Sequence, residues 1–211
     1  MNLYFSPLAC SMASRIAFYE AGADVHFTQV DAKSKTLQDG ADFYAVNPLG
    51  QVPVLRMDDG ALLTENAAIL PFIADSFPHA GLVPDSRSER ARLQEWLGFV
   101  STELHRTVFT LLLDPSAPEA VKSYAREKGA RRFDVLQKHL AGREFLQDRF
   151  SVADAYLFVV LNWSQFVSID LAQWPNVEAY YKRLAQRPVI ARALSEEMAI
   201  YQEERVKRAR A

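Results

Sequence analysis

The chain has 211 residues, enough for one or two domains with a sizeable buried core. Charged residues make up 24% of it and the formal net charge is -2, so no strong field is available to hold nucleic acid or an anionic membrane. One cysteine cannot close an internal disulfide, and with four scattered histidines and no second cysteine a structural zinc site is not expected.

The first 80 residues alternate short strand-like and helix-like pieces. Residues 2–5 and 25–30 read as strands on either side of a helix over about 12–22, which Gly22 ends. Such a βαβ unit requires parallel strands. Gln51 to Arg56 and Ala61 to Leu63 flank Asp58, Asp59 and Gly60, a hairpin signal. Pro53 inside the first of these runs fits either an edge strand or a cis Val52-Pro53 bond. The cis form would turn the Val52 amide and carbonyl outward, where they could hold a peptide as an extra strand. A further helix begins near Thr64 and ends around Phe77 and Pro78. The order β-α-β, connection, β-β-α predicts a thioredoxin-like domain over residues 1–78.

Residues 79–86 are rich in turn formers and read as a linker, and residues 87–211 carry no strand signal. Leu93, Leu97, Val100, Leu104, Val108 and Leu111 recur at spacings of three and four, so a long helix from Arg87 to about Asp114 buries one face. A second helix spans about 117–141 and stops at Gly142. A third starts at Ser151, whose S-x-x-D pattern with Asp154 resembles a capping box. Because that helix is apolar on nearly all sides, it is the expected centre of an all-helical domain. Two shorter helices follow, separated near Arg187 and Pro188, and the basic tail from Glu203 to Ala211 reads as a solvated, frayed end. The longest apolar run, Tyr156 to Leu161, is far short of the roughly 20 residues that cross a bilayer. No basic-then-apolar leader opens the chain, so a cytoplasmic location and no membrane partner are the expectations.

Cys10 stands at the turn between the first strand and the first helix. Cysteine is often simply buried. At a helix entry, however, free amides and the positive dipole end favour an anion, and such a site can lower a thiol pKa from ~8.5 into the range of about 3.5–7.5. No second cysteine stands three residues away, so a dithiol oxidoreductase working alone is excluded. A monothiol mechanism borrows its second sulfur from a small molecule, of which glutathione is the obvious one in a cytoplasm.

Taken together, Y-F-S-P-x-A-C-S near the start, N-P-x-G-x-V-P at 47–53, L-T-E-N-A-A-I-L at 63–70, L-Q-E-W-L at 93–97 and F-S-V-A-D-A-Y at 150–156 closely resemble bacterial cytosolic glutathione transferases, nearest the beta class. The resemblance implies a thioredoxin-like domain for glutathione, an all-helical domain with a pocket for an apolar electrophile, and a homodimer. It implies glutathione as co-substrate and no metal or other cofactor. Cys10 resembles the cysteine that meets the glutathione sulfur. Gln51, Val52 and Pro53 look like the segment pairing with the tripeptide, with the Val52 backbone against its cysteinyl unit. Glu65 and Asn66 match the pair at the γ-glutamyl end, and Lys35 a lysine for the glycyl carboxylate. His105 resembles a residue facing the sulfur, Glu103 one reaching the glutathione of the neighbouring subunit, and Phe109 and Trp163 are candidates for the apolar pocket or for plain core.

Three departures stand out. Gly98 replaces a frequent asparagine, Phe5 a frequent tyrosine and Asn66 a frequent serine, the last keeping a donor. The implied reaction is conjugation of the glutathione thiolate to electrophilic apolar compounds. Thiol-disulfide exchange or peroxide reduction through Cys10 is a related possibility, and a non-catalytic glutathione- or ligand-binding protein of the same fold is the alternative.

Overall fold

The computed structural model describes residues 1–167 and 169–210, which divide into two compact units. The first comprises Met1–Ala80 together with Pro188–Ala211 and the second Gly81–Arg187.

In the first unit β1 (Asn2–Phe5) pairs in parallel with β2 (His26–Gln29), as the crossover through α1 (Met12–Glu20) requires. Gly22 ends α1 as expected: at φ 60° its amide returns to the Tyr19 carbonyl, and the Ala23 amide to Phe18, a left-handed stop that favours glycine. On the other side β1 pairs antiparallel with β3 (Val54–Arg56), which forms the predicted hairpin with β4 (Leu62–Thr64). The sheet order is β2-β1-β3-β4, the thioredoxin-like arrangement. Helix α2 (Asn66–Ser76) follows directly on β4.

In the second unit the long helix is α3 (Arg87–Gly98), a π-helical stretch (Phe99–Phe109) and α4 (Thr110–Leu113) in unbroken succession. The π stretch changes which residues face inward. Leu93, Leu97, Val100, Leu104 and Val108 are buried as their spacing predicts, but Leu112 takes the last inward place instead of Leu111. In a π turn each amide reaches back five residues, as Thr110 does to His105, so the inward face slips along the sequence. Helix α5 (Glu119–His139) follows, and then α6 (Val152–Asn162), every residue of which is buried.

The expected cap of α6 is present. The Ser151 hydroxyl accepts from the Ala153 amide while Asp154 accepts from the Ser151 amide and hydroxyl, each at 2.9 Å. The other Asp154 oxygen takes the Leu146 amide and the Tyr180 hydroxyl, the latter on α7 (Pro175–Ala185), both at 2.8 Å.

The C-terminal stretch differs from expectation. In place of a second short helix, α8 (Pro188–Arg210) runs 23 residues, opened by the proline that separates it from α7, and by its contacts it belongs to the first unit rather than to a domain ending at 211. Nor is the basic tail frayed. The Gln29 amide donates to Glu204 at 2.7 Å and Arg208 pairs with Asp31 at 3.2 Å, so charge and hydrogen bonding dock it against the end of β2. Ala211, the last residue of that tail, lies outside the described residues. No helix among the described residues is long and apolar enough to cross a membrane.

Candidate active site

The turn from Ser6 to Ser11 is built by interactions from four directions. Ser6 donates to the Val30 carbonyl at 2.7 Å. From α2, Asn66 donates its side-chain amide to the Cys10 carbonyl at 2.9 Å and accepts the Ser14 hydroxyl at 3.0 Å. The Cys10 sulfur itself lies 3.2 Å from the Val52 carbonyl, at a Val52-Pro53 bond that is cis. From α8, Glu197 accepts the Leu8 amide at 2.7 Å, and Leu8 is held at φ 60°.

Cys10 is half-buried and sits just before Ser11, the residue that caps α1, rather than within the first helical turn. Its thiol faces a carbonyl acceptor, which suits a neutral S–H; an anionic sulfur would be repelled by that oxygen. The anion expected at this position therefore needs the thiol to leave Val52.

Pairing of Val54 with Thr64 brings the Val52-Pro53 segment beside Glu65 and Asn66. Glu65 caps α2 with an exposed side chain and φ 69°, ψ 125°, a sparsely populated conformation whose cost is of order 1–3 kcal/mol and which recurs at ligand clamps. Asn66 does not behave as its exchange for serine suggested. It is only 3% exposed and its side chain is committed to the Cys10 turn, so its contribution to a ligand is the backbone amide opening the helix. Gln51 is exposed, its carbonyl taken by Asn47 at 2.7 Å. Lys35 lies in a loop at φ 58°, half-buried, its carbonyl accepting from Phe43, whose ring anchors that loop in a cluster with Tyr4, Val30 and Val54 against which Val52 packs.

In the second unit His105 lies within the π stretch. Its Nδ1 is 2.7 Å from the Tyr156 hydroxyl, and its ring meets Trp163 edge-on at 4.8 Å. Burial, with the charge of neighbouring Arg106 as a smaller cause, pushes its pKa down to about 4. His105 is thus neutral at pH 7, and if it faces a sulfur, as the resemblance implies, it does so as a hydrogen-bond donor and not as a cation. Glu103, expected to reach a neighbouring subunit, is paired with Arg132 at 2.6 Å. Of the two readings for Phe109, apolar pocket or plain core, its full burial between Phe133 and Trp163 favours core; Trp163 keeps a small exposed edge.

Residues 9–76 match the family model described as the N-terminal domain of glutathione S-transferase, and residues 99–188 that of its C-terminal domain. Glutathione S-transferase GstA of Escherichia coli O157:H7 is 41% identical over 199 residues, covering 93% of this chain and 98% of that protein. The chain belongs to the glutathione S-transferase family.

A solved sphingomonad glutathione S-transferase complexed with glutathione superposes with a TM-score of 0.89 at 43% identity, covering 93% of this chain and 98% of its own. A bacterial beta class glutathione S-transferase of Sphingomonas chungbukensis gives the same score, identity and coverage. What the sequence reading of this glutathione S-transferase missed is the pair Arg15 and Glu197, 4% and 0% exposed and joined at 2.8 Å. Arg15 is also sandwiched between the Phe5 and Phe27 rings, 4.2 Å from each centroid. Burial pushes the Glu197 carboxyl up to about 7 against the opposing pull of Arg15 and the Leu8 amide. Two charged residues 182 positions apart leave no local pattern, so nothing in the sequence marked them.

Proposed function

We propose that the protein is a glutathione transferase that conjugates the glutathione thiolate to apolar electrophiles. The observation that carries this reading is the 3.2 Å contact between the Cys10 sulfur and the Val52 carbonyl, beside the first amides of α2. An extended tripeptide laid along Val52 offers its cysteinyl N–H to that carbonyl and competes with the Cys10 thiol for it. The γ-glutamyl carboxylate falls to the Asn66 and Ala67 amides and the ammonium to Glu65, with Gln51 and Lys35 as further contacts. The released thiol then lowers the cost of a glutathione thiolate, and the family resemblance assigns His105 to the same task, as a neutral donor. That thiolate attacks the electrophilic carbon, the C–S bond forms as the C–halogen bond of an aryl halide breaks, and halide leaves with the bonding pair. Trp163 is the aromatic wall for the apolar substrate, with Phe109 behind it.

The working unit in this reading is a cytoplasmic homodimer, and Glu103 would have to leave Arg132 to serve a neighbouring subunit. A second reaction is favoured by the half-buried position of Cys10. Its thiolate attacks a glutathione mixed disulfide, taking the glutathionyl sulfur and releasing the other thiol. Retention on immobilised glutathione and turnover of an aryl halide test the first reading, and Cys10→Ala separates the two. The variant is expected to lose disulfide exchange and covalent glutathionylation, read by mass spectrometry, while conjugation falls less than about tenfold. Retention without turnover of any electrophile would leave only the binding protein.

A further inference from the structure

We infer that Tyr156 is a positioning residue that fixes the tautomer of His105, so that Nε2 carries the proton and acts as a donor. This inference rests on the transferase reading for its consequence, though not for its geometry.

His105 Nδ1 and the Tyr156 hydroxyl are 2.7 Å apart, a full hydrogen bond. A neutral imidazole has one N–H and one lone pair, so the partner of one nitrogen dictates what the other can do. Of the two possible directions, one is chemically favoured. A phenol is a far stronger acid than a neutral imidazole N–H, with a pKa of about 10, and an imidazole nitrogen is a far better base than a phenol oxygen. The hydroxyl therefore donates to Nδ1, and Nε2 is left with the proton.

The surroundings hold this arrangement. Tyr156 is 2% exposed on α6, all of whose residues are buried, so its ring cannot swing away without opening the centre of the unit. The imidazole is pinned edge-on to Trp163 at 4.8 Å and to Tyr156 at 6.0 Å, which restrains the ring flip that would exchange the two nitrogens. His105 also stands in the π stretch, where its carbonyl accepts both the Thr110 amide and, at 2.9 Å, the Thr110 hydroxyl, so its backbone is held from the following turn. With Nε2 already protonated and the Nδ1 lone pair taken by the Tyr156 hydroxyl, a histidine fixed in this way has no open nitrogen on which to accept a proton. It offers a donor to a sulfur anion or to negative charge developing on a leaving group, and it is not a general base.

The sequence contains only four histidines, so the imidazole nitrogens can be followed one by one by ¹⁵N NMR in the full-length protein. At neutral pH the His105 signals should show the Nε2–H form in the wild type and a mixture in Tyr156→Phe. In the same variant kcat for aryl halide conjugation should fall about three- to tenfold with KM for glutathione unchanged, the size of one hydrogen bond's net contribution. In a His105→Asn background, where an amide donor needs no tautomer control, Tyr156→Phe should cost nothing further. A wild-type spectrum in the Nδ1–H form overturns the inference, as does an Nε2–H form that persists unchanged in Tyr156→Phe. Tautomer control as expected in a wild type that conjugates nothing supports the role of Tyr156 and removes the transferase reading instead.

Discussion

Gly98 marks the point where the helix opened by Arg87 loosens into its π stretch, at an ordinary φ of -59°. A Cβ built there meets no atom within 4 Å. Replacing it removes backbone freedom from the unfolded chain without a clash, so Gly98→Ala should stabilise the protein by about 1 kcal/mol, read as a higher urea midpoint at unchanged slope. An unchanged or lower midpoint would mean that the transition from α to π geometry needs glycine. At this scale the sequence was legible where chemistry is local. Cys10 does stand at the turn between strand and helix, and the Val52-Pro53 bond is cis, one of the two forms that a proline in that run allowed, whereas the contact of the thiol with the Val52 carbonyl was not foreseen. The sequence was illegible where a residue's partner is distant, as for Asn66, whose amide is spent on the Cys10 carbonyl, and for Arg15, whose counter-ion comes from the other end of the chain.

Among the elements, α6 depends most on its first turn. Asp154 gathers four donors, from the Leu146 and Ser151 amides and the Ser151 and Tyr180 hydroxyls, all in a buried setting that raises its pKa by desolvation. Ser151→Ala should cost about 1 kcal/mol, a usual cap loss. Asp154→Ala strands several buried donors and should cost at least about 3 kcal/mol. Urea unfolding measures both, and equal losses would mean that Asp154 serves only the cap. The S-x-x-D pattern made the start of this helix readable, and hydrophobic periodicity made the long helix before it readable as far as Val108. Beyond Val108 the reading slipped by one residue because the spacing of side chains assumes α geometry, and no residue pattern announced the wider π turns.

For the whole molecule, two buried titrating groups set opposite trends of stability with pH. The pKa of His105 falls from 6.5 to about 4 on folding, so between those values the unfolded chain binds more protons and stability is lost as pH drops. That of Glu197 rises from 4.5 to about 7, so between those values the folded chain keeps a proton the unfolded chain has shed, and stability is lost as pH rises. The windows overlap from about pH 4.5 to about 6.5, where these two slopes oppose each other, while buried Asp154, its pKa raised by desolvation, adds to the Glu197 side. Glu197→Gln removes one contribution, so unfolding free energy across the overlap should change with pH in a more upward direction in that variant than in the wild type. A variant whose pH slope matches that of the wild type would refute the assignment.

That α8 closes upon the sheet of the first unit also orders events during synthesis. The 107 residues of Gly81–Arg187 must be made before Glu197 can reach Leu8, several seconds or more at about 5–20 residues per second. The helical segment encoded in between can collapse on its own schedule, whereas the nascent thioredoxin-like portion waits with an uncompensated Arg15 and an unfastened cysteine turn until α8 has been made.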